Sequence, residues 1–400
     1  MLGEACKKHW KPGRFVAVDE VMQRFKGRSH DTLTIPTKPT PEGYKIWVVA
    51  DEGYVLAWIY HQRGKGPLNV KVPKELGSNK TATVVADLLD QLPKQPGYAY
   101  GVFLDNLFTS HKLLLYLRKR GYGATGTARS NSGIYKEFVQ LKTQDKKRDK
   151  IPWGELKMVV TSDNQIMQFA WKDNAIVLFQ STMFDGQAYT IRDRKRPSKT
   201  STSAKTARAP FGDKPRAMLS IPDFDDVYNH YMGAVDQADQ LRASYAYNRR
   251  CRSEGHKALY EFLIEISVIN AYKLSLHSEV SKEAKYTVHS EFRTALATGL
   301  IQISERRFLK RKRTSIGSAI ERSMIRLDDH QICRRKSLGD CRGCKEIGRT
   351  ARPRNRQVLG EITPNLGDSG RGKRSIFGCD ICDIPLCRDG PCWAAYHNSI

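Results

Sequence analysis

YAYGVFLDNLFTSHKLLLYLRKRGYGATGTA, residues 98–128, decides the fold class. Its first part, Tyr98–Leu104, is aromatic and branched and reads as a strand that stops at the hinge Asp105-Asn106. Thr109 or Ser110 then offers a hydroxyl to cap a helix reaching Arg120. The Leu113, Leu114, Leu117 stripe of that helix faces inward, and Gly121 ends it. Tyr122–Ala128 reads as a second strand. Strand, helix, strand in so short a space predicts a βαβ crossover and a parallel portion of sheet, hence an α/β fold.

Working outward, Tyr44–Ala50 and Tyr54–Tyr60 flank Asp51-Glu52-Gly53 and predict a central β-hairpin. Thr81–Leu92 carries Val84, Val85, Leu88, Leu89 and Leu92 at helical spacing, and Pro93 with Pro96-Gly97 ends it. Residues 1–42 are polar and dotted with proline, and read as a lead-in. Downstream, residues 138–221 contain short β-like runs at Lys157–Val160, Ile166–Trp171 and Ala175–Gln180, with Asp173-Asn174 as a turn, and read as a β-rich insertion. Helical pattern resumes near Tyr228 and continues through His256–Leu274, with Leu259, Phe262, Leu263, Ile266 and Ile269 on one face. The expected division is a lead-in (1–42), a core in two parts (43–137 and 222–300) around the insertion (138–221), a basic linker (301–328) and a small cysteine-rich domain (329–400).

Charge narrows the partner. The 400 residues hold 67 Lys+Arg against 42 Asp+Glu, a net charge of +25 and a pI near 9.7, which favours polyanions and nucleic acid first among them. The runs Lys146–Lys150, Arg194-Lys195-Arg196 and Lys310–Arg313 suit phosphate contact or nuclear import, and equally a solvated surface. No apolar run of about 18 residues exists to span a bilayer, and the start lacks a signal-peptide core. Neither a membrane nor a small-molecule substrate is expected.

Four carboxylates stand out. Asp51 and Asp105 each sit where a predicted strand stops, and strand ends of an open α/β sheet face a common crevice. Asp236 and Asp239 lie three apart and share a face if their segment is helical. Separate elements supplying three or four Asp are what a two-Mg²⁺ (or Mn²⁺) phosphodiester-cleaving site requires. A turn or helix cap is the alternative use of each such Asp.

Words around these acids carry a resemblance. Val18-Asp-Glu-Val-Met22, Thr34-Ile-Pro-Thr-Lys-Pro39, Gly43-Tyr-Lys-Ile-Trp-Val-Val-Ala-Asp51, Asp105-Asn-Leu-Phe-Thr-Ser110, Gly121 to Asn131, and Tyr228 to Gln240 follow in order over about residues 15–300. Together they resemble the piggyBac-type DNA transposases. The resemblance implies an RNase H-like mixed-sheet core of the DDE/D transposase type. It carries over Asp51, Asp105 and Asp236 as Mg²⁺-binding catalytic carboxylates and Asp239 as an auxiliary acid. Implied chemistry is strand cleavage and transfer at transposon ends with a TTAA target, in the nucleus, by a possible homodimer. Members of that family carry a longer segment upstream of the first motif, Gly-Gly where this chain has Gly233-Ala234, and in many cases a Trp after the pair matching Arg249-Arg250. These departures keep a second reading open, a domesticated, non-catalytic DNA- or chromatin-binding relative.

Seven of the nine cysteines fall after residue 330, in a segment poor in large aliphatics. Cys341/Cys344 and Cys379/Cys382 are tight pairs, followed by Cys387, Cys392 and His397 and preceded by His330. Two thiolates on one turn chelate one ion, so these eight residues are the expected ligands of two interleaved tetrahedral Zn²⁺ sites. Cys6, Cys251 and Cys333 are left over. Basic surroundings point the tail at DNA phosphate; a RING-like protein-interaction module is the competing use.

Overall fold

The computed structural model describes the chain apart from residues 1, 71, 78, 95–96, 98, 147–150, 201–203, 247–254, 278–285, 287, 305–330, 345–373, 381, 389–390 and 398–400. Two compact units result, Met1–Arg293 and Thr294–Ile400. Among the described residues no helix is long and apolar enough to cross a membrane.

The first unit is built, in chain order, from α1 (Leu2–His9), β1 (Phe15–Arg24), β2 (Leu33–Thr34), β3 (Glu42–Asp51), β4 (Tyr54–Gln62), β5 (Gly66–Pro67), α2 (Lys80–Asp90), β6 (Gly101–Leu104), α3 (His111–Lys119), β7 (Gly123–Thr127) and α4 (Lys136–Lys146). There follow β8 (Leu156–Val160), β9 (Met167–Lys172), β10 (Ile176–Ser181), β11 (Tyr189–Lys195), α5 (Ala204–Ala207), β12 (Arg216–Pro222), α6 (Asp223–Tyr231), α7 (Ala234–Ser244) and α8 (Gly255–His277). Ten strands form one mixed sheet in the order β5-β4-β3-β1-β6-β7-β10-β9-β8, with β2 on β3. The centre, β1-β6-β7, is parallel, and the strands on either side join antiparallel.

Alternating side chains separate the two faces, as strand geometry requires. Val16, Val18, Trp47, Val49, Val102 and Leu104 pack with α2 and α3 in one apolar cluster. Ala17, Val21, Ile46, Val48 and Phe103 pack with α6, α7 and α8 in the other. Local chemistry fixes the connections. Glu52 (φ 47°) and Gly53 (φ 85°) turn the β3–β4 hairpin with two left-handed residues, the geometry of a type I′ turn. Asn79 caps α2 by accepting from Ala82 N at 3.1 Å, and Ser110 caps α3 by accepting from Leu113 N at 3.4 Å.

The expected crossover over residues 98–128 is present as β6-α3-β7. Two segments fall differently. Residues 15–24, inside the expected lead-in, form the central strand of the sheet. Residues 156–181, inside the expected insertion, continue the same sheet through β10 paired to β7 (Phe179↔Thr127), leaving only β11 and β12 as a separate ribbon. Their inward residues, Phe169, Trp171 and Phe179, join the cluster beneath α6, which anchors them to the core.

One buried ion pair holds α4 to this edge. Lys172 Nζ lies 2.7 Å from Asp145 Oδ1, the two side chains being 2% and 8% exposed, and Ile176 N donates to Asp145 Oδ2 at 2.9 Å. Asp145→Ala leaves the Lys172 charge buried alone and is expected to lower the free energy of unfolding by about 3–5 kcal/mol. Urea denaturation checks this, and Asp145→Leu combined with Lys172→Met is expected to recover most of the loss.

The second unit contains β13 (Ile332–Asp340), β14 (Arg374–Cys379) and β15 (Ile384–Pro385), an antiparallel sheet in that order, and α9 (Cys392–His397). Its buried cluster is Cys341, Cys344, Cys379, Cys382, Cys392 and Leu386.

Candidate functional site

Parallel pairing aligns Val18 of β1 with Leu104 of β6, so the next residues, Asp19 and Asp105, end up side by side. Both project toward the α6–α8 face: Asp19 alternates with Ala17 and Val21, and Asp105 follows the same parity as Phe103. Asp105 terminates β6 in a turn whose geometry its own carbonyl fixes, accepting from Phe108 N and Thr109 N at 3.1 Å and from Thr109 Oγ1 at 3.0 Å. Gly126 lets β7 approach this turn; a Cβ there would lie 2.1 Å from Thr109 Oγ1 and 2.6 Å from Leu104 O. The Asp105 carboxylate itself faces a cleft of about 520 Å³ shared with Asn106, Thr127, Arg129 and Tyr228.

Over this edge lies α7, which buries Ala234, Val235 and Ala238 and carries Asp236 in its first turn. Burial pushes the Asp236 carboxyl up; Lys38 opposes the rise, while Asp239, Glu20 and Asp105 add to it. Asp19 responds more strongly: burial, then the neighbouring Glu20 charge, push it up to about 8. Tyr228, on α6, donates to Leu104 O at 3.3 Å, and burial together with Asp105 and Asp19 holds its phenol up near 12. Asp19, Asp105 and Asp236 therefore form one acidic focus in a strongly basic protein.

A cation already leans on it. Lys38 Nζ is 3.3 Å from Glu20 Oε1; burial alone would lower the Lys38 pKa, but Glu20, Asp19 and Asp236 outweigh it and hold it up. Asp239 lies one turn beyond Asp236, but its carboxylate is taken by Arg242, which donates from Nε at 3.0 Å and Nη2 at 2.6 Å. Arg242 also reaches Glu265 at 3.3 Å and Met22 O at 2.9 Å, so Asp239 belongs to a strut between α7, α8 and β1.

Asp51 is placed apart from this focus. Its strand, β3, runs antiparallel to β1 and β6, so the carboxyl end of β3 lies beside the amino end of β1, with Ala50 opposite Ala17. Strand ends share a crevice only among parallel neighbours, and the sequence expectation for Asp51 fails on that point. Asp51 is 4% exposed, and its Oδ2 accepts from Trp10 Nε1 and Gly13 N, each at 2.8 Å. Trp10 stacks on Tyr54 at 4.4 Å. These contacts clasp the segment after α1 onto the sheet, a structural use of the carboxylate. Asp19, the residue the structure brings in instead, sits within the Val18-Asp-Glu-Val-Met22 motif. Apolar residues at 16–18 and 21–22 around the acid pair are the signal that marks a strand there.

The second unit gathers the expected cysteine ligands into two groups. Cys341, Cys344, Cys387 and Cys392 offer sulfurs all within 4.8 Å of one another, and Cys379, Cys382 and His397 form a second group to the same limit. The groups interleave along the chain. Gly343 makes the first knuckle possible, since a Cβ there would meet Cys392 O at 2.1 Å. In the second, His397 Nδ1 is 2.9 Å from Trp393 O, leaving Nε2 directed at Cys382 Sγ, 3.8 Å away. Burial, then its cysteine neighbours, push the Cys387 thiol up to about 12. Four thiols so close cannot ionise together without a cation among them, and soft sulfur with imidazole fits Zn²⁺. Cys333 is in neither group, and His330 and Cys251 lie outside the described residues.

Comparison with known proteins matches residues 1–272 to the family described as Transposase IS4. The chain is similar to human PiggyBac transposable element-derived protein 2, 27% identical over 268 residues, covering 67% of this chain and 41% of that protein. Human PiggyBac transposable element-derived protein 3 is 28% identical over 274 residues, covering 68% of this chain and 42% of that one. The chain thus spans about two fifths of the length of these relatives. Among solved structures, the fold is similar to the cryo-EM structure of a piggyBac transposase synaptic complex with hairpin DNA. That match has a TM-score of 0.57 and 23% identity, and covers 77% of this chain and 56% of that one.

Proposed function

The chain belongs to the piggyBac-type transposase family, and from that premise we propose that its first unit is an RNase H-like core that cuts and transfers DNA strands at transposon ends, using Asp19, Asp105 and Asp236. The observation that carries the reading is the side-by-side placement of Asp19, within β1, and Asp105, just past β6, where the parallel pairing of those two strands ends, with Asp236 above them. Burial pushes the Asp19 carboxyl up to about 8 and raises that of Asp236, and hard divalent cations are ligands that clustered carboxylates fit. Bound there, Mg²⁺ or Mn²⁺ would activate the attacking oxygen and stabilise the leaving 3′-oxygen.

The chain's own residues do the rest. Asp19 and Asp105 are fixed by strand register and need no reorganisation to act together, and the α7 backbone fixes Asp236. Arg129 and Lys142 beside the Asp105 cleft give a DNA strand cationic walls. The cysteine-rich unit would take two Zn²⁺ and add contacts to DNA. Double-stranded DNA with a TTAA target, a homodimer and a nuclear setting follow from the same reading.

Lys38, already seated against Glu20, favours a second reading, in which an internal cation serves a relative that binds DNA without cutting it. One experiment separates the two. The purified chain is incubated with a TTAA-flanked transposon-end duplex and with its hairpin form, in Mg²⁺, Mn²⁺ or EDTA. The catalytic reading expects nicking in Mg²⁺ and Mn²⁺ and none in EDTA; salt-sensitive binding without metal-dependent nicking establishes the second and removes the first.

A further inference from the structure

The β11–β12 ribbon carries more positive charge than its own carboxylates neutralise, and the surplus is localised. Arg192 meets Asp226 at 2.7 Å, Arg194 meets Asp173 at 2.9 Å, and Arg216 meets Asp193 at 2.7 Å. Arg196, just past the end of β11, has among the described residues only Asp213 at 4.0 Å as an ion-pair partner, a fully exposed side chain whose pairing gains little. Its Nε is buried and has no hydrogen-bond partner among the described residues. A buried N–H without an acceptor is costly, and a guanidinium N–H especially so. Lys195 beside it is exposed and makes no ion pair among the described residues.

Both cations line a cleft of about 400 Å³, whose walls include Trp153, Arg194, Phe211 and Leu219. The acid in that wall, Asp173, is already engaged on both oxygens, taking Trp153 Nε1 at 3.1 Å and Arg194 at 2.9 Å. What the cleft lacks is an acceptor that is anionic and brings several oxygens. Phosphate supplies that, and Arg is the side chain best matched to it. We propose that this cleft is a phosphate-binding site, separate in residues from the Asp19–Asp105–Asp236 focus, that takes a backbone phosphate of a DNA strand through Arg196 and Lys195. That the phosphate belongs to DNA rests on the proposed function; the need for an oxyanion rests on the orphaned Arg196 donor alone.

The position gives the contact a consequence. Thr190 Oγ1 donates to Asp223 at 2.6 Å and Arg192 grips Asp226, so the ribbon is tied to α6, the helix that carries Tyr228 against Leu104 O. A strand held in the cleft is thereby held by an element that also borders the acidic focus.

The test uses the whole chain in EDTA, so that cleavage plays no part. Affinity for a fluorescent transposon-end duplex is measured by anisotropy across a salt series for wild type, Arg196→Gln, Lys195→Gln and the control Lys157→Gln. Each cleft variant is expected to bind about tenfold more weakly and to flatten the slope of log affinity against log salt by about one. Lys157→Gln, outside the cleft, is expected to stay within about twofold of wild type. Cleft variants that match the control overturn the proposal. Thermal melting reports whether Arg196→Gln folds; if it does not, the exposed Lys195→Gln decides the matter. A parallel arm titrates inorganic phosphate. Displacement of DNA only above about 10 mM supports a polynucleotide ligand, and displacement below about 1 mM reassigns the cleft to a free phosphate compound. If wild type binds no DNA, the proposed function fails, and loss of calorimetric phosphate binding in Arg196→Gln still decides whether the oxyanion site exists.

Discussion

Asp19→Asn, Asp105→Asn and Asp236→Asn are each expected to reduce metal-dependent nicking by about a thousandfold or more, while Asp51→Ala leaves the rate within about threefold. A thousandfold is about 4 kcal/mol of transition-state stabilisation, within what one ligand to a charge-neutralising metal supplies. The contrast follows from position. Asp19 and Asp105 are adjacent by the register of β1 and β6, and Asp236 overlooks them. Asp51 is occupied by Trp10 and Gly13 on the opposite face of the sheet. Removing it strands the Trp10 N–H and deletes two hydrogen bonds to a charged acceptor, so its expected effect is a loss of about 2–4 kcal/mol in stability. Single-turnover nicking together with urea denaturation separates the two kinds of loss. A collapse of nicking in Asp51→Ala at unchanged stability, or full activity in Asp19→Asn, would sink this assignment of roles.

Asp19→Asn also has an expected sign without metal. Burial disfavours the ionised Asp19 in the folded protein, so a neutral amide is expected to raise the melting temperature of the metal-free chain while erasing part of the rise that Mn²⁺ produces in wild type. Such a trade of stability for function is expected wherever carboxylates are crowded to receive a cation.

The elements legible in the sequence are those whose signals are local. The β3–β4 hairpin announces itself by aromatic and branched runs around a Glu52-Gly53 turn, and β6-α3-β7 by a serine cap, a leucine stripe and a closing glycine. β1 escapes this reading because two adjacent acids, Asp19 and Glu20, interrupt its apolar pattern, and its place is set by pairing with strands about 30 and 85 residues away in sequence. Asp51 attracts attention for the same reason as Asp105, a carboxylate where a strand stops. Strand direction, which no local pattern states, puts them at opposite ends. The span 138–221 shows a related limit: its short strands are visible in the sequence, but their addition to the edge of β7 depends on Phe169 and Phe179 packing beneath Phe224 on α6.

In the second unit the candidate ligands are legible because chelating spacing is a local pattern, and the expected response to metal loss is the largest stability effect in the molecule. Treatment with a strong zinc chelator is expected to remove about two equivalents of metal and unfold the β13–β15 sheet and α9, leaving the sheet of the first unit folded. Structural Zn²⁺ is worth on the order of 10–16 kcal/mol in small domains, and here little else could replace it. Among the described residues Leu386 is the one non-cysteine member of the buried cluster, with Ile384, Trp393 and Tyr396 only partly covered. The three-stranded sheet is joined to α9 through the sulfur groups, Cys344 Sγ lying 3.4 Å from Cys392 Sγ and Cys382 Sγ 3.8 Å from His397 Nε2. Cys344→Ala, which removes a ligand from the four-sulfur group alone, is expected to lower bound metal to about one equivalent and to loosen the Cys392 end of α9 while β14 and His397 stay held by the second group. Metal content by mass spectrometry and amide exchange over residues 374–397 read both effects. Full protection of that segment after chelation would mean that the sulfurs pack as ordinary buried thiols, and the metal reading of the unit would fall.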